Sequence, residues 1–430
     1  MNYVLPSESL NTLKNIAYDC LLSLSTEEGI YASSRQEAYG CIFGRDSAIT
    51  ILKLLNVYAK NHEPKVLDIC RRTLLTLIGL QGKEYNVESG EEPGKFIHEF
   101  RKDNYERLIA RKKPWFVYPD GTLKNYDSID STPLILIAIY NYWKSTGDVT
   151  FLLESLASVE MGLHWIMGDG DKDHDFLMEY EVHESRVSGG LVVQSWTDSF
   201  ESMMRPDGTF PKYPIAPVEV QGIAWLALTM WSEYYATSNE LFSRKLKKFT
   251  DNMKKSFTQN FIIQDSGVYF AAQALDGSKN KIATVTANPL VCLWATYEDG
   301  NIRESIIEDR FVDDFVKRAF LPDLFDEDAG IRTMSVLSPT YNAGTSSYHN
   351  GSFWPMLNGL IHEGLQRWGY EDRSNYLMQA TLKPMHHFGF PIELYTKDEM
   401  GNYLEYESSR GKKGCRYQAW SAAAALDLLT

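Results

Sequence analysis

The chain is poor in the residues that build cross-links and metal cages. Its 430 residues hold five cysteines, Cys20, Cys41, Cys70, Cys292 and Cys415. Their number is odd, their spacing is wide and no C-x-x-C pair occurs, so neither a zinc site nor a disulfide framework is expected. The nine histidines show no ligand spacing. His386 and His387 are adjacent, and neighbours in a helix do not face each other. No metal and no cofactor are therefore expected. Long hydrophobic runs are also missing, since none reaches the ~18 residues of a membrane span. The opening Met1-Asn2-Tyr3-Val4-Leu5-Pro6 has no basic segment followed by an apolar one. No secretory signal is expected, and a reducing cytoplasm is the expected compartment. Basic residues are outnumbered 43 to 57, for a formal net charge of −14. The charge is spread along the chain, which predicts a solvated surface that repels nucleic acid and anionic membranes.

Apolar side chains are plentiful at 44%, enough for a large core and too many for a disordered chain. Aromatic residues make up 13%, with ten tryptophans and 25 tyrosines. Large cores use such residues, and so do sugar sites, where ring faces stack on C–H faces and the polar tips bond hydroxyls.

Most long segments read with a helical period. Helices are predicted at roughly 8–24, 45–60, 64–80, 130–146, 149–168, 216–238, 240–258, 288–298, 302–319, 351–368, 371–386 and 417–429. A short extra helix is predicted near 98–111, and short strands at 191–194 and 268–274. Gly147 and Gly369 stand where helices stop. The stretches 81–97, 169–215, 260–287 and 321–350 read as long loops, a length that usually signals function.

Polar motifs gather at the starts of alternate helices. They include Gly44-Arg45-Asp46, Asp127-Ser128-Ile129-Asp130-Ser131, Glu219-Val220-Gln221, Asn288-Pro289, His349-Asn350-Gly351-Ser352 and Tyr417-Gln418-Ala419-Trp420-Ser421. N-capping accounts for Asp130 or Ser352 taken singly, because short polar residues belong at helix starts. It does not account for Arg45, Glu219, His349 and Trp354 at the same places. The pattern predicts an all-α, single-domain (α/α)6 toroid of six helical hairpins. Six inner helices would point their N-termini, with free N–H groups and positive partial charge, at one mouth carrying the long loops.

Two carboxylates stand among apolar and aromatic residues. Asp198 lies in Gln194-Ser195-Trp196-Thr197-Asp198-Ser199, and Glu393 follows Phe388-Gly389-Phe390-Pro391-Ile392. Taken alone, Asp198 reads as a turn residue and Glu393 as a solvated one. As a pair in apolar settings they suit glycoside hydrolysis, which needs a carboxylic acid with a raised pKa and a second carboxylate across the sugar.

The ordered series of motifs is more specific. It runs Phe43-Gly44-Arg45-Asp46-Ser47, Glu92-Pro93-Gly94-Lys95-Phe96-Ile97-His98-Glu99, Tyr126-Asp127-Ser128-Ile129-Asp130-Ser131, Trp196-Thr197-Asp198-Ser199, Pro217-Val218-Glu219-Val220-Gln221-Gly222, Tyr348-His349-Asn350-Gly351-Ser352-Phe353-Trp354-Pro355 and Gln418-Ala419-Trp420-Ser421-Ala422. In this order, from about residue 40 onward, the chain resembles the catalytic domain of glycogen-debranching-type, amylo-α-1,6-glucosidase-like enzymes. The wider group includes glucoamylase-like and mannosylglycerate-hydrolase-like (α/α)6 enzymes. The resemblance implies an inverting α-glycosidase acting on α-linked glucosides, with Asp198 as general acid and Glu393 as general base, roughly 6.5–9.5 Å apart. It implies that Arg45 and Asp46 hold sugar hydroxyls. Lys95, His98, Glu99, Asp130, Trp196, Glu219, His349, Asn350 and Trp354 are expected in the same substrate site. Helices begin almost at Met1, so the family's N-terminal β-sandwich is not expected here, and a small glycoside or oligosaccharide fits as well as a large glucan. Two other functions remain open: a sugar epimerase using histidines such as His349, and a non-catalytic glycan-binding protein.

Overall fold

The computed structural model describes residues 5–430. Its helices, in chain order, are α1 (Ser7–Leu24), α2 (Gly44–Asn61), α3 (Pro64–Gly79), the single turn α4 (Glu106–Ile109), α5 (Ser131–Thr146), α6 (Val149–Ile166), α7 (Val218–Ser238), α8 (Glu240–Phe261), α9 (Val291–Trp294), α10 (Asp309–Ala319), α11 (Pro355–Arg367), α12 (Glu371–Phe388) and α13 (Ala419–Leu428). Among the described residues no helix is long and apolar enough to cross a membrane.

Two kinds of helix alternate, and composition explains both. α5 is buried continuously from Ser131 to Tyr140, and α13 from Ala419 to Asp427. A helix that is apolar or small on all sides must sit inside. α8 instead buries Leu246, Phe249, Thr250, Met253, Phe257 and Phe261, a single stripe at helical spacing, and turns its lysines to solvent. α2 packs on α5, α5 on α7, α7 on α9, α9 on α11, α11 on α13, and α13 again on α2. α3, α6, α8 and α12 each pack on the helix that precedes them, and α1 packs on α13.

Short links join the two kinds at one end. Gly147 closes α5 with φ of 68°, a left-handed conformation that favours glycine, and Asp148 at once caps α6 by accepting a bond from the Phe151 N–H at 2.9 Å. Asn239 alone separates α7 from α8 and caps the latter through the Phe242 N–H. At the other end the chain takes long excursions, at 80–130, 167–217, 320–354 and 389–418.

Small antiparallel sheets brace these excursions. Ile42–Phe43 pairs with Glu99–Arg101, which pairs with Leu123–Asn125. The helix predicted near 98–111 is therefore a strand followed by the single turn α4. Glu99–Arg101 is buried and bonds a strand on each side, and that pairing overrides a local helical pattern. The helix predicted at 288–298 is one 3-10 turn plus α9, after which Thr296–Asp299 folds back on Ile302–Ser305. Asp299-Gly300, a hairpin signal, lies at that turn and shortens the predicted 302–319 helix to α10. Segment 191–194 is not a strand, whereas 268–274 holds parts of two, Val268–Ala271 and Ala274–Leu275. The molecule is helix-rich rather than purely helical.

Lys53 knots the inner helices together. Its ammonium, 1% exposed, bonds Glu363 at 2.6 Å, Asp427 at 3.0 Å and the Gly359 carbonyl at 3.0 Å, joining α2 to α11 and α13.

Candidate active site

The site begins where the strand Ile42–Phe43 runs into α2. The Gly44 N–H bonds the His98 carbonyl at 2.9 Å, and a Cβ on Gly44 would lie 2.0 Å from the Ile97 carbonyl oxygen. Only glycine permits that approach, which delivers Arg45 and Asp46 in the first turn of α2. Arg45 donates through Nε to Asp130 at 2.8 Å and through Nη1 to Asp198 at 3.4 Å. Burial opposes its charge, but Asp130 and Asp198 outweigh that effect and hold the guanidinium protonated. Asp130 is fixed in turn by the Ser128 hydroxyl at 2.6 Å.

Three carboxyl groups line one narrow cleft. Asp198 comes from the 167–217 excursion, and its side chain keeps 26% exposure toward the cleft. Burial pushes its pKa up to about 6, Arg45 opposes and Asp130 adds to the rise. Glu393, 1% exposed, comes from the 389–418 excursion. Its Oε2 accepts the Cys415 N–H at 2.7 Å and its Oε1 accepts the Tyr348 hydroxyl. Burial raises its pKa as well, against the lowering pull of Lys412, the Cys415 N–H and Tyr348. Asp46 is pushed up to about 8 by burial, with Arg45 opposing and Glu393 and Asp198 adding repulsion. Its Oδ1 accepts from Gln418 at 3.1 Å.

Rings form the wall. His349 stacks on Trp354 with centroids 5.1 Å apart, and Trp196 stands edge-on to both. Tyr348 and Trp420 meet Trp354 at 5.1 Å and 5.9 Å. His349 Nδ1 accepts the Ser199 N–H at 3.3 Å, which assigns the ring proton to Nε2. Burial holds His349 and His98 well below the ordinary histidine range, and Arg45 adds to both shifts. Five buried polar atoms of cleft residues have no hydrogen-bond partner in the protein: Arg45 Nη2, His98 Nδ1, Trp196 Nε1, Gln418 Oε1 and Trp420 Nε1.

Of the residues expected in the site, Arg45, Asp46, His98, Trp196, Asp198, His349, Trp354 and Glu393 line this cleft. Five others do not. Asp130 stands behind Arg45. Glu219 is fully buried in the first turn of α7, and burial pushes its pKa up to about 7, against the lowering pull of Asn288 and Ser195. Lys95 turns to the Gly90 carbonyl and lies over the Trp165 ring. Glu99 is taken up by Arg101. Asn350 braces two loops through the carbonyls of Glu201 and Thr340.

Tyr39, Phe43, Tyr348, Gln418 and Trp420 also line the cleft without having been expected there. Four of them sit inside the motifs quoted above, so motif membership was a usable signal. Tyr39 and its neighbour Lys412 carried no local signal. Away from the cleft, Asp171, Asp173 and Asp175 cluster closely enough to hold a cation. The ammonium of Lys279 lies 2.8 Å from Asp173 and 2.7 Å from Asp175, so a cation of the chain itself already sits at the group.

Comparison with known proteins agrees with this architecture. Structures of similar fold include a mannosylglycerate hydrolase from Thermus thermophilus in complex with glucose, at TM-score 0.63 and 15% identity, covering 96% of this chain and 99% of that one. A metal-independent alpha mannosidase from Streptococcus pneumoniae, in a non-productive complex with alpha-1,6-mannobiose, gives TM-score 0.63 and 13% identity over 98% and 93%. A rhamnosidase from Klebsiella oxytoca with rhamnose bound gives 0.59 and 13% over 98% and 64%. No curated protein matches in sequence. The family model of amylo-alpha-1,6-glucosidase matches residues 71–427. With that match running over most of its length, the chain belongs to the amylo-alpha-1,6-glucosidase family of glycosidases.

Proposed function

We propose that this protein is an inverting α-glycosidase built as an (α/α)6 toroid, with α-linked glucosides as its first substrate class. The observation that carries the reading is the pair Asp198 and Glu393 in one small aromatic cleft, both with raised pKa. Helix packing that runs from α2 through α5, α7, α9, α11 and α13 back to α2 supports the toroid.

In this mechanism Asp198 gives its proton to the glycosidic oxygen as the bond from that oxygen to the anomeric carbon breaks. A water attacks the anomeric carbon from the opposite face while Glu393 takes its proton. The products are an alcohol and a sugar of inverted configuration. The ionised Arg45 and the protonated Asp46 offer donors to the hydroxyls of the terminal sugar, and the five unpartnered polar atoms suit the same task. The ring wall supplies the stacking faces. Asp130 acts from behind, on Arg45.

An epimerase would use His98 and His349, which also line the cleft. Burial holds both well below the ordinary histidine range, which makes them weak bases, and His349 Nδ1 is occupied by Ser199, so the carboxylate pair is favoured. A panel of α-linked glucosides, mannosides and rhamnosides, assayed for released sugar, tests the reading. Hydrolysis of an α-glucoside that is lost in Glu393→Gln supports it. Isomerisation of free sugar without hydrolysis would sink it.

A further inference from the structure

The two carboxyl groups of the pair are not equally open. Glu393 is 1% exposed, whereas the Asp198 side chain keeps 26% exposure. A general acid protonates the leaving oxygen, so the leaving group lies on the side of Asp198 and the attacking water on the side of Glu393. Whatever departs therefore passes outward over the surface next to Asp198.

That surface is aromatic. Ser199 follows Asp198 in extended backbone, φ −73° and ψ 144°, and its N–H and hydroxyl meet His349 Nδ1 at 3.3 Å and 2.9 Å. Phe200 then opens a single 3-10 turn, Phe200–Ser202, with its Cα at most ~7 Å from that of Asp198. The turn is tied to the rim of the cleft. Asn350 donates to the Glu201 carbonyl at 2.9 Å, and Tyr406, its ring 4.9 Å from that of Tyr348, feels the charges of both Glu201 and Glu393. Phe200 is nonetheless 54% exposed. It is not a loose ring. It stacks on Phe210 with planes 5° apart and centroids 5.2 Å apart, and Phe210 in turn meets the Tyr213 ring at 5.6 Å. The Tyr213 hydroxyl bonds the Val192 carbonyl at 2.6 Å, which anchors the row. Phe210 covers one face of Phe200, and the exposure leaves the other face to solvent.

We propose that Phe200, backed by Phe210, is the platform of the leaving-group subsite and that it takes a pyranose ring, which makes the substrate an α-linked oligosaccharide rather than the glycoside of a small open-chain alcohol. The inference rests on the hydrolytic reading of the cleft. The C–H face of a pyranose is flat and apolar and stacks on an aromatic face while the hydroxyls stay in water. An open chain presents no such face.

The test uses the intact protein and two matched pairs, isomaltose with isomaltitol and maltose with maltitol. Within each pair the glucosyl unit and its α-linkage are the same, but the second unit is a ring in one member and an open-chain polyol in the other. Stacking predicts kcat/KM about three- to tenfold higher for the ring in at least one pair. Phe200→Ala brings that ratio toward one, whatever it does to the absolute rate, and Phe200→Trp, which restores a ring face, keeps it. A loop merely disturbed by substitution would slow ring and open-chain aglycones alike. Equal hydrolysis within both pairs, or a ratio unchanged in Phe200→Ala, overturns the inference and leaves the glycosidase standing, as does cleavage of methyl α-glucoside alone. No hydrolysis of any of these glucosides overturns both.

Discussion

Asn in place of Asp198 keeps the size of the side chain and removes the proton it is proposed to donate. The wild-type group, with a pKa near 6, is protonated in about a tenth of molecules at pH 7 and about nine tenths at pH 5. Rate therefore depends on a proton that is lost as pH rises through about 6, and kcat/KM for the wild type should fall on that side. A positioned general acid contributes ~10²–10⁴-fold, about 3–5 kcal/mol of barrier. For an alkyl α-glycoside, whose leaving oxygen is strongly basic, Asp198→Asn should lose that whole factor. For a 2,4-dinitrophenyl α-glycoside the oxygen leaves as a stable anion and needs little help, so the loss should shrink to near tenfold or less. The basic limb near pH 6 should vanish in the variant with this activated substrate. Initial-rate profiles of kcat/KM against pH for the two substrates and two proteins make the comparison. An equal loss on both substrates, or a basic limb that survives in the variant, would refute the assignment of Asp198 as acid.

Three further outcomes follow from neighbouring residues. Tyr348→Phe removes a donor to ionised Glu393, so the carboxyl becomes harder to ionise and the acidic limb of the pH–rate profile moves to higher pH; an unmoved limb would show that this bond does not tune the base. Glu219 is raised from 4.5 to about 7 by burial, so the native state binds more protons than the unfolded state between those values. Its contribution to stability is greatest at or below pH 4.5 and falls by about 3 kcal/mol as pH rises to 7. Glu219→Gln should flatten that part of the pH dependence of unfolding, read by denaturant titration at several pH values. Lys53→Met removes the buried cation shared by Glu363 and Asp427, leaving them only Arg367 and Lys60 as partners, and should cost up to about 3–5 kcal/mol in the same assay, whereas a loss below about 1 kcal/mol would mean those partners suffice.

Helix chemistry was readable from the chain because it is local. The Gly147-Asp148 stop and start, the stripe of α8 and the continuous apolar character of α5 and α13 depend on residues within a few turns of one another. The strand Glu99–Arg101 was not readable, since its partners lie about 57 residues before it and 24 after it in sequence, at Ile42–Phe43 and Leu123–Asn125. The hairpin after α9 is legible in the local turn signal Asp299-Gly300. In the site, Arg45, Asp46, Trp196, Asp198, His349 and Trp354 were found through short motifs, and Glu393 through its apolar approach. Lys95, Glu99 and Asn350 share those motifs yet turn elsewhere, because a motif gives the backbone path and not the direction of each side chain. Tyr39 and Lys412 meet across 373 residues of sequence, a contact that no local pattern encodes.

The central claim is a single displacement at the anomeric carbon by water, with Glu393 as its base. Proton NMR of the first turnovers on an α-glucoside, before mutarotation, reads it directly. The account predicts the β-anomer as the first product from the wild type and no detectable product from Glu393→Gln. The α-anomer as first product would contradict it, because retention needs a covalent intermediate and a carboxylate acting as nucleophile.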